Sequence, residues 1–237
     1  RILQPEEFHV NIELCKKDFR SDWEAIQMGY SAFDKLPPQF SDFLISHVAA
    51  KVAEKTEQNI WSGVNANAGE FDGFSTLLAA DSDVIDVTGS AITSANVIAE
   101  LGSIVDAIPS SLYGQEDMYL YVSQNIASAY VRSLGGFGAS GLGAAGTNSQ
   151  GTQWWNNGSL SFDGVKIFVA NGLADDTAVA AEKSNLYFGT GLLSDHNEVK
   201  VIDMGDLDGS QNVRVIMRFT SGVQYGIGGD IVYRVNA

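Results

Sequence analysis

The sequence predicts an α+β fold with an inserted segment, not a doubly wound sheet. Three observations carry that prediction. One apolar stripe keeps helical spacing from Gln39 to Trp61, far longer than any other periodic run. The C-terminal end reads almost wholly as alternating strand, from Asn197 onward. The middle has a different charge character from both ends. Residues 61 to 162 hold a single basic residue, Arg132, against nine acids, whereas the flanks hold seven and six basic residues.

Taken in order, "EEFHVNIEL" (residues 6 to 14) alternates in part and predicts a strand. "KKDFRSDWEAIQMG" predicts a short helix with Phe19, Trp23 and Ile26 on one face, ended by Gly29. After Pro37-Pro38, Phe40, Leu44, Val48 and Val52 recur every four residues, and Phe43, Ile45 and Ala49 widen the stripe. That helix, about 39 to 61, would be ~33 Å long at 1.5 Å per residue. Lys51 and Lys55 lie toward its C-terminal half, where the macrodipole favours cations, and Gly63 is the expected stop. "STLLAADSDVIDVTGS" predicts strand with turns. "TSANVIAELGSIVDAIP" predicts an amphipathic helix capped by Thr93 and stopped by Pro109, with Val97, Ile98, Leu101, Ile104, Val105 and Ile108 inward. "DMYLYV" predicts a strand. "SQNIASAYVRSLGG" predicts a helix from Ser123 as cap to Gly135 as C-terminal glycine. "VKIFVA" and "TAVAA" predict short strands. "NEVKVIDMG" and "NVRVIMRFT" predict an antiparallel pair turned at Asp206-Leu207-Asp208-Gly209, and "GDIVYRV" a final strand.

The formal net charge is −15 over 237 residues. A middle segment this poor in cations has no electrostatic grip on phosphate, so sequence-specific nucleic-acid binding is excluded as a class. No apolar run reaches the roughly 20 residues of a membrane helix. Cys15 is the only cysteine, so an intrachain disulfide and a cysteine zinc site are both excluded. Lys16 and Lys17 would favour its thiolate, but a lone cysteine is more often a small filler.

The run "GGFGASGLGAAGTNSQG" (135 to 151) matches G-x-G-x-x-G twice, at Gly136-Gly138-Gly141 and Gly141-Gly143-Gly146. A dinucleotide fingerprint follows a strand and opens a helix. Here a predicted helix precedes it and no apolar helical period follows. The run therefore reads as a flexible loop containing Gly135, Gly136, Gly138, Gly141, Gly143 and Gly146, and no cofactor is expected. "DMGDLDGS" hints at a calcium loop. With Gly209 in sixth place, however, the first and twelfth positions fall on Met204 and Val215, which fail as ligands. Asp195-His196-Asn197-Glu198 has no metal-ligand spacing. No catalytic or metal site is expected, and the chain is not expected to be an enzyme.

Beyond these local readings, the order of segments resembles a known family. "SDFLISHVAAKVAEKTEQNIWSG", "ITSANVIAELGSIVDAIPSSLYG", "MYLYVSQNIASAYVRSL", "GVKIFVANGLADDTAVAAEKSNLYFGTGL" and "HNEVKVIDMGDLDGSQNVRVIMRFTSGVQYGIGGDIVYRV" together resemble tailed-bacteriophage major capsid proteins of the Hong Kong 97 type, closest in flavour to those of crAss-like phages. The resemblance covers nearly the whole chain.

It implies a peripheral domain at 1–65 and 196–237, holding a spine helix at about 39–61 and an antiparallel sheet. It implies a mixed α/β axial domain inserted at 66–195, to which the last strand returns. The N-terminal arm and most of the extended loop would lie upstream of Arg1 or be absent. The implied function is a structural subunit that assembles with itself, as hexamers and pentamers, into an icosahedral head shell around double-stranded DNA. The implied setting is the virion, assembled in the host bacterial cytoplasm. Implied partners are other copies, a portal, a scaffold or decoration protein, and packaged DNA held non-specifically; no membrane is implied. Tyr113, Trp154 and Trp155 are the candidate subunit-interface residues, since aromatics anchor interfaces, although Trp154-Trp155 reads equally well as core. The glycine run would be an axial-domain loop. Three rivals stand beside this reading: an encapsulin-like compartment shell, a nucleotide-binding oxidoreductase, and a phage accessory or decoration protein, which the order of elements around the long helix disfavours.

Overall fold

The computed structural model describes residues 1–15, 18, 38–134, 160–191 and 199–236. By its internal contacts the chain divides into two compact units. The larger comprises Arg1–Leu3, Glu57–Phe188 and Val223–Ala237, and the smaller Gln4–Thr56 and Gly189–Gly222.

In the smaller unit, the alternating N-terminal segment forms β1 (Glu6–Cys15). It pairs antiparallel along its whole length with β9 (Asn212–Tyr225), from Glu6 opposite Ser221 to Cys15 opposite Asn212. β8 (Val199–Asp203) pairs antiparallel with β9 on the other side; β7 (Leu186–Gly189), whose Leu186–Phe188 belong to the larger unit, is the remaining strand of this sheet. Period-two alternation puts Phe8, Val10, Ile12 and Leu14 on one face with Val213, Val215, Met217 and Phe219. Phe8 and Phe219 stack with centroids 5.4 Å apart. The long helix α1 (Pro38–Ser62) begins in this unit. Its Leu44 packs with Val213, Leu14 and Val201 as a small core.

The Asp-Gly turn between β8 and β9 closes as a single helical turn, α5 (Gly205–Asp208). Gly209 follows at φ 75°, a left-handed position that favours glycine. Asp203 accepts from the Gly205 N–H at 3.0 Å, and Asp208 accepts from the Ser210 N–H at 2.9 Å. These two acids serve the turn itself.

In the larger unit, Gly63 does follow α1, but for a reason other than a left-handed cap. A Cβ there would lie 2.3 Å from the Phe71 carbonyl oxygen, so close backbone approach demands glycine. "STLLAADSDVIDVTGS" departs from the strand expectation. It opens with helix α2 (Phe74–Ala79), which buries Phe74 and Leu78, and only then becomes β2 (Ile85–Gly89). The signal was ambiguous because six residues hold too few turns to show a period.

Helix α3 (Val97–Asp106) buries Val97, Leu101, Ile104 and Val105, with Ile98 left half exposed. Its N-cap is Asn96 rather than Thr93. Thr93 donates from both N–H and hydroxyl to the Asn96 side-chain oxygen, and the helix starts three residues later than expected. β3 (Met118–Val122) leads into α4 (Gln124–Ser133), with Ser123 at its N-cap. β4 (Ser161–Phe162) and β5 (Val165–Val169) form a hairpin over Asp163-Gly164, at φ 44° and 83°. Two successive positive φ values suit a two-residue hairpin, and Asp-Gly supplies them. β6 (Ala178–Glu182) follows, and β10 (Val232–Asn236) ends the fold.

These strands form a six-stranded sheet in the order β2-β10-β6-β3-β5-β4. β10 runs parallel to β2, β3 runs parallel to β5, and β6 is antiparallel to both β10 and β3. The final strand enters the six-stranded sheet between β2 and β6. Helices α3 and α4 cover one face, where Leu101, Ile104 and Ile126 meet Leu120, Val122, Ile167 and Val232.

Candidate functional site

The six-stranded sheet presents two features with chemical or binding capacity. The first is a polar network where β2, β3 and β10 end. Residue parity places Arg234 on the same face as Val232, toward α3. Its side chain is fully buried, and it forms an ion pair with Glu100 of α3 at 2.9 Å. It also donates to the carbonyl oxygens of Ser90 and Asp176. Glu100 accepts from the Ser90 N–H at 3.2 Å and the Ser90 hydroxyl at 2.8 Å. Partial burial alone would raise the Glu100 carboxyl; hydrogen bonds from Arg234 and Ser90 outweigh it and hold the group below the usual carboxylate range.

Asp176 is the second hub. It sits at φ 59°, unusual for a residue with a side chain. Its carboxylate accepts from the Ile92 N–H at 3.0 Å, the Asn125 amide at 2.7 Å and the Asn236 amide at 3.1 Å. Asn125 in turn accepts from the Ser123 hydroxyl and the Asp176 N–H. The network directs its charges onto backbone and side chains of its own unit. Its arrangement clamps the strand ends to α3 and α4. Beside it lies a polar cleft of about 320 Å³, lined by Thr93, Ser94, Gln124, Asn125, Ser128 and Arg132 among others. Among the described residues, no cluster of His, Cys, Asp and Glu could hold a metal ion. His9 and His47 are both exposed.

The second feature is apolar. On the face opposite α3 and α4, Tyr121 meets Trp61 at 5.1 Å, Phe168 at 5.8 Å and Tyr119 at 6.1 Å between ring centroids. Burial pushes the Tyr121 phenol up to about 12, so that ring carries no charge at neutral pH. Lys166 covers Tyr119 at 5.6 Å. Phe168 ends the row and is 51% exposed. Tyr187, Phe188 and Ile227 of the same unit are each more than half exposed.

Tyr113 is also half exposed, and its hydroxyl donates to the Asp163 carbonyl oxygen at 2.8 Å, which holds the ring at the β4–β5 hairpin. Trp154, Trp155 and the glycines from Gly135 to Gly146 lie outside the described residues. Phe168, Tyr187, Phe188 and Ile227 were missed from sequence. Phe168 had a signal, since it occupies the outward parity of "VKIFV" beside Lys166; the others had none.

No protein-family model and no curated protein matches the chain. Solved structures do. One described as "Capsid of empty GTA particle computed with C5 symmetry" shares 14% identity, aligns over 99% of this chain and 74% of its own, and gives a TM-score of 0.60. The chain has the Hong Kong 97-type capsid fold. Gordonia phage Cozz gives 12% identity over 99% and 71% of the two chains with a TM-score of 0.59. A virus-like particle from Pyrococcus furiosus gives 11%, 98%, 77% and 0.54. At these identities the likeness is one of fold.

Proposed function

We propose that this chain is a major capsid protein, a structural subunit that assembles with its own copies into the icosahedral head shell of a tailed phage enclosing double-stranded DNA. The observation that carries this reading is fold likeness over 99% of the chain to a capsid whose structure has five-fold symmetry. The larger compact unit corresponds to the axial domain, and the smaller, with most of α1, to the peripheral domain. Large exposed apolar side chains at Phe168, Tyr187, Phe188 and Tyr113 suit a protein that buries surface against its own copies. Trp154 and Trp155 belong to the same proposal, as does the glycine run, placed as an axial-domain loop. The chain acts as a building block rather than a catalyst. Other partners follow from the role: a portal, a scaffold or decoration protein, and DNA contacted non-specifically. Assembly would take place in the bacterial cytoplasm, with the virion as the final location.

Negative-stain electron microscopy of the full protein tests the reading. Shells, rings or hexamers are expected. A strictly monomeric protein at high concentration overturns it. Phe168→Asp is expected to abolish particles while the chain stays folded by circular dichroism, because half of the ring is already exposed and losing its contact with Tyr121 costs the isolated fold only about 1 kcal/mol. The match to the Pyrococcus furiosus particle keeps one rival in view, a compartment shell. Purified particles containing protein cargo and no DNA would favour that rival.

A further inference from the structure

The larger unit contains a fitted receptacle for one cationic side chain. Its floor is the ring of Tyr225, near the end of β9, which is 1% exposed. Its wall is the Asp81 carboxylate, just after α2. The Tyr225 hydroxyl donates to Asp81 at 2.8 Å and thereby aims the carboxylate. Asp83 adds a backbone N–H to the other Asp81 oxygen at 3.2 Å. The third side is open because residue 228 is glycine. A Cβ there would lie 2.6 Å from Asp81 Oδ2 and 3.2 Å from the occupant.

The occupant is Arg1. Its guanidinium lies 4.2 Å from the Tyr225 ring centroid and pairs with Asp81. The chain beyond is held by the Gln224 amide, which donates to the Ile2 carbonyl oxygen at 3.3 Å. We propose that Asp81, Tyr225 and Gly228 form an arginine-specific docking seat, in which Arg1 is an intramolecular ligand that fastens the segment preceding β1. A planar guanidinium stacks on a ring and meets a carboxylate edge-on at the same time; a lysine ammonium is a compact point charge and does only one of these well. The seat grips a side chain, so it does not require Arg1 to be a chain terminus. It stands independently of the capsid reading.

The test empties the seat and offers it a substitute. In the full-length Arg1→Ala protein, saturation-transfer NMR with N-acetylarginine amide at millimolar concentration is expected to give ligand signals at least tenfold above those of wild type, whose seat is filled. N-acetyllysine amide is expected to give signals near background. Adding Asp81→Asn to Arg1→Ala, a substitution of the same size and shape, is expected to remove the arginine signal, as is adding Gly228→Ala. Equal signals from wild type and Arg1→Ala overturn the proposal. So do equal signals from the two ligands, or an arginine signal that survives Asp81→Asn.

Discussion

Arg234 carries a charge into the sheet at full burial, where Glu100 and two carbonyl oxygens receive it. Truncating one partner of such a pair leaves the other uncompensated, at a cost of about 3–5 kcal/mol. Arg234→Met is expected to lose stability of that order in urea unfolding, and adding Glu100→Leu is expected to recover much of it. The pH dependence follows from Glu100. Its folded pKa is depressed, so its stabilising contribution is full above the unfolded value of ~4.3 and fades as pH falls through the lower folded value. The difference in stability between wild type and Glu100→Gln should therefore be constant near neutrality and shrink below about pH 4. Little of this was legible in sequence. Arg234 reads as one of many alternating strand residues, and Glu100 as a polar position on an amphipathic helix. Their pairing requires two segments more than a hundred residues apart to meet.

At the scale of elements, periodicity located α1, α3, α4, β1, β3, β5 and β6 because each carries enough residues to show its period. It failed for α2, which is six residues long, and for the dipeptide strand β4. It also did not distinguish glycines that end elements from glycines that admit a neighbour. Gly172 is of the second kind, since a Cβ there would lie 2.2 Å from the Glu57 carbonyl oxygen at the end region of α1. Gly172→Ala is expected to destabilise by about 1–3 kcal/mol, because backbone must move. Gly102, inside α3, has open space where a Cβ would sit, with nothing within 4 Å. There Gly102→Ala is expected to stabilise by about 0.4–1 kcal/mol through helix propensity and a less flexible unfolded chain. Thermal unfolding of the two variants should move the midpoint in opposite directions.

For the whole molecule, charge dominates. In the proposed assembly, copies carrying −15 each would repel, and apolar contacts would have to overcome that repulsion. Screening shortens its reach to about 10 Å at 0.1 M salt. Association by light scattering is therefore expected to strengthen from ~10 mM to ~0.5 M sodium chloride, opposite to an assembly held by ion pairs. Weakening with salt would show that opposite charges, not apolar side chains, hold the copies together.

The chain's own residues determined which segments are helix and strand, because burial period and turn chemistry are local, and they determined the acidic balance of the chain. The order of those segments was enough to suggest the capsid fold. The tertiary structure alone decided that β10 enters between β2 and β6, that Arg234 meets Glu100, and that Arg1 reaches Tyr225. Each of these depends on contacts between distant segments, and side-chain period carries no information about which distant strand will be the neighbour.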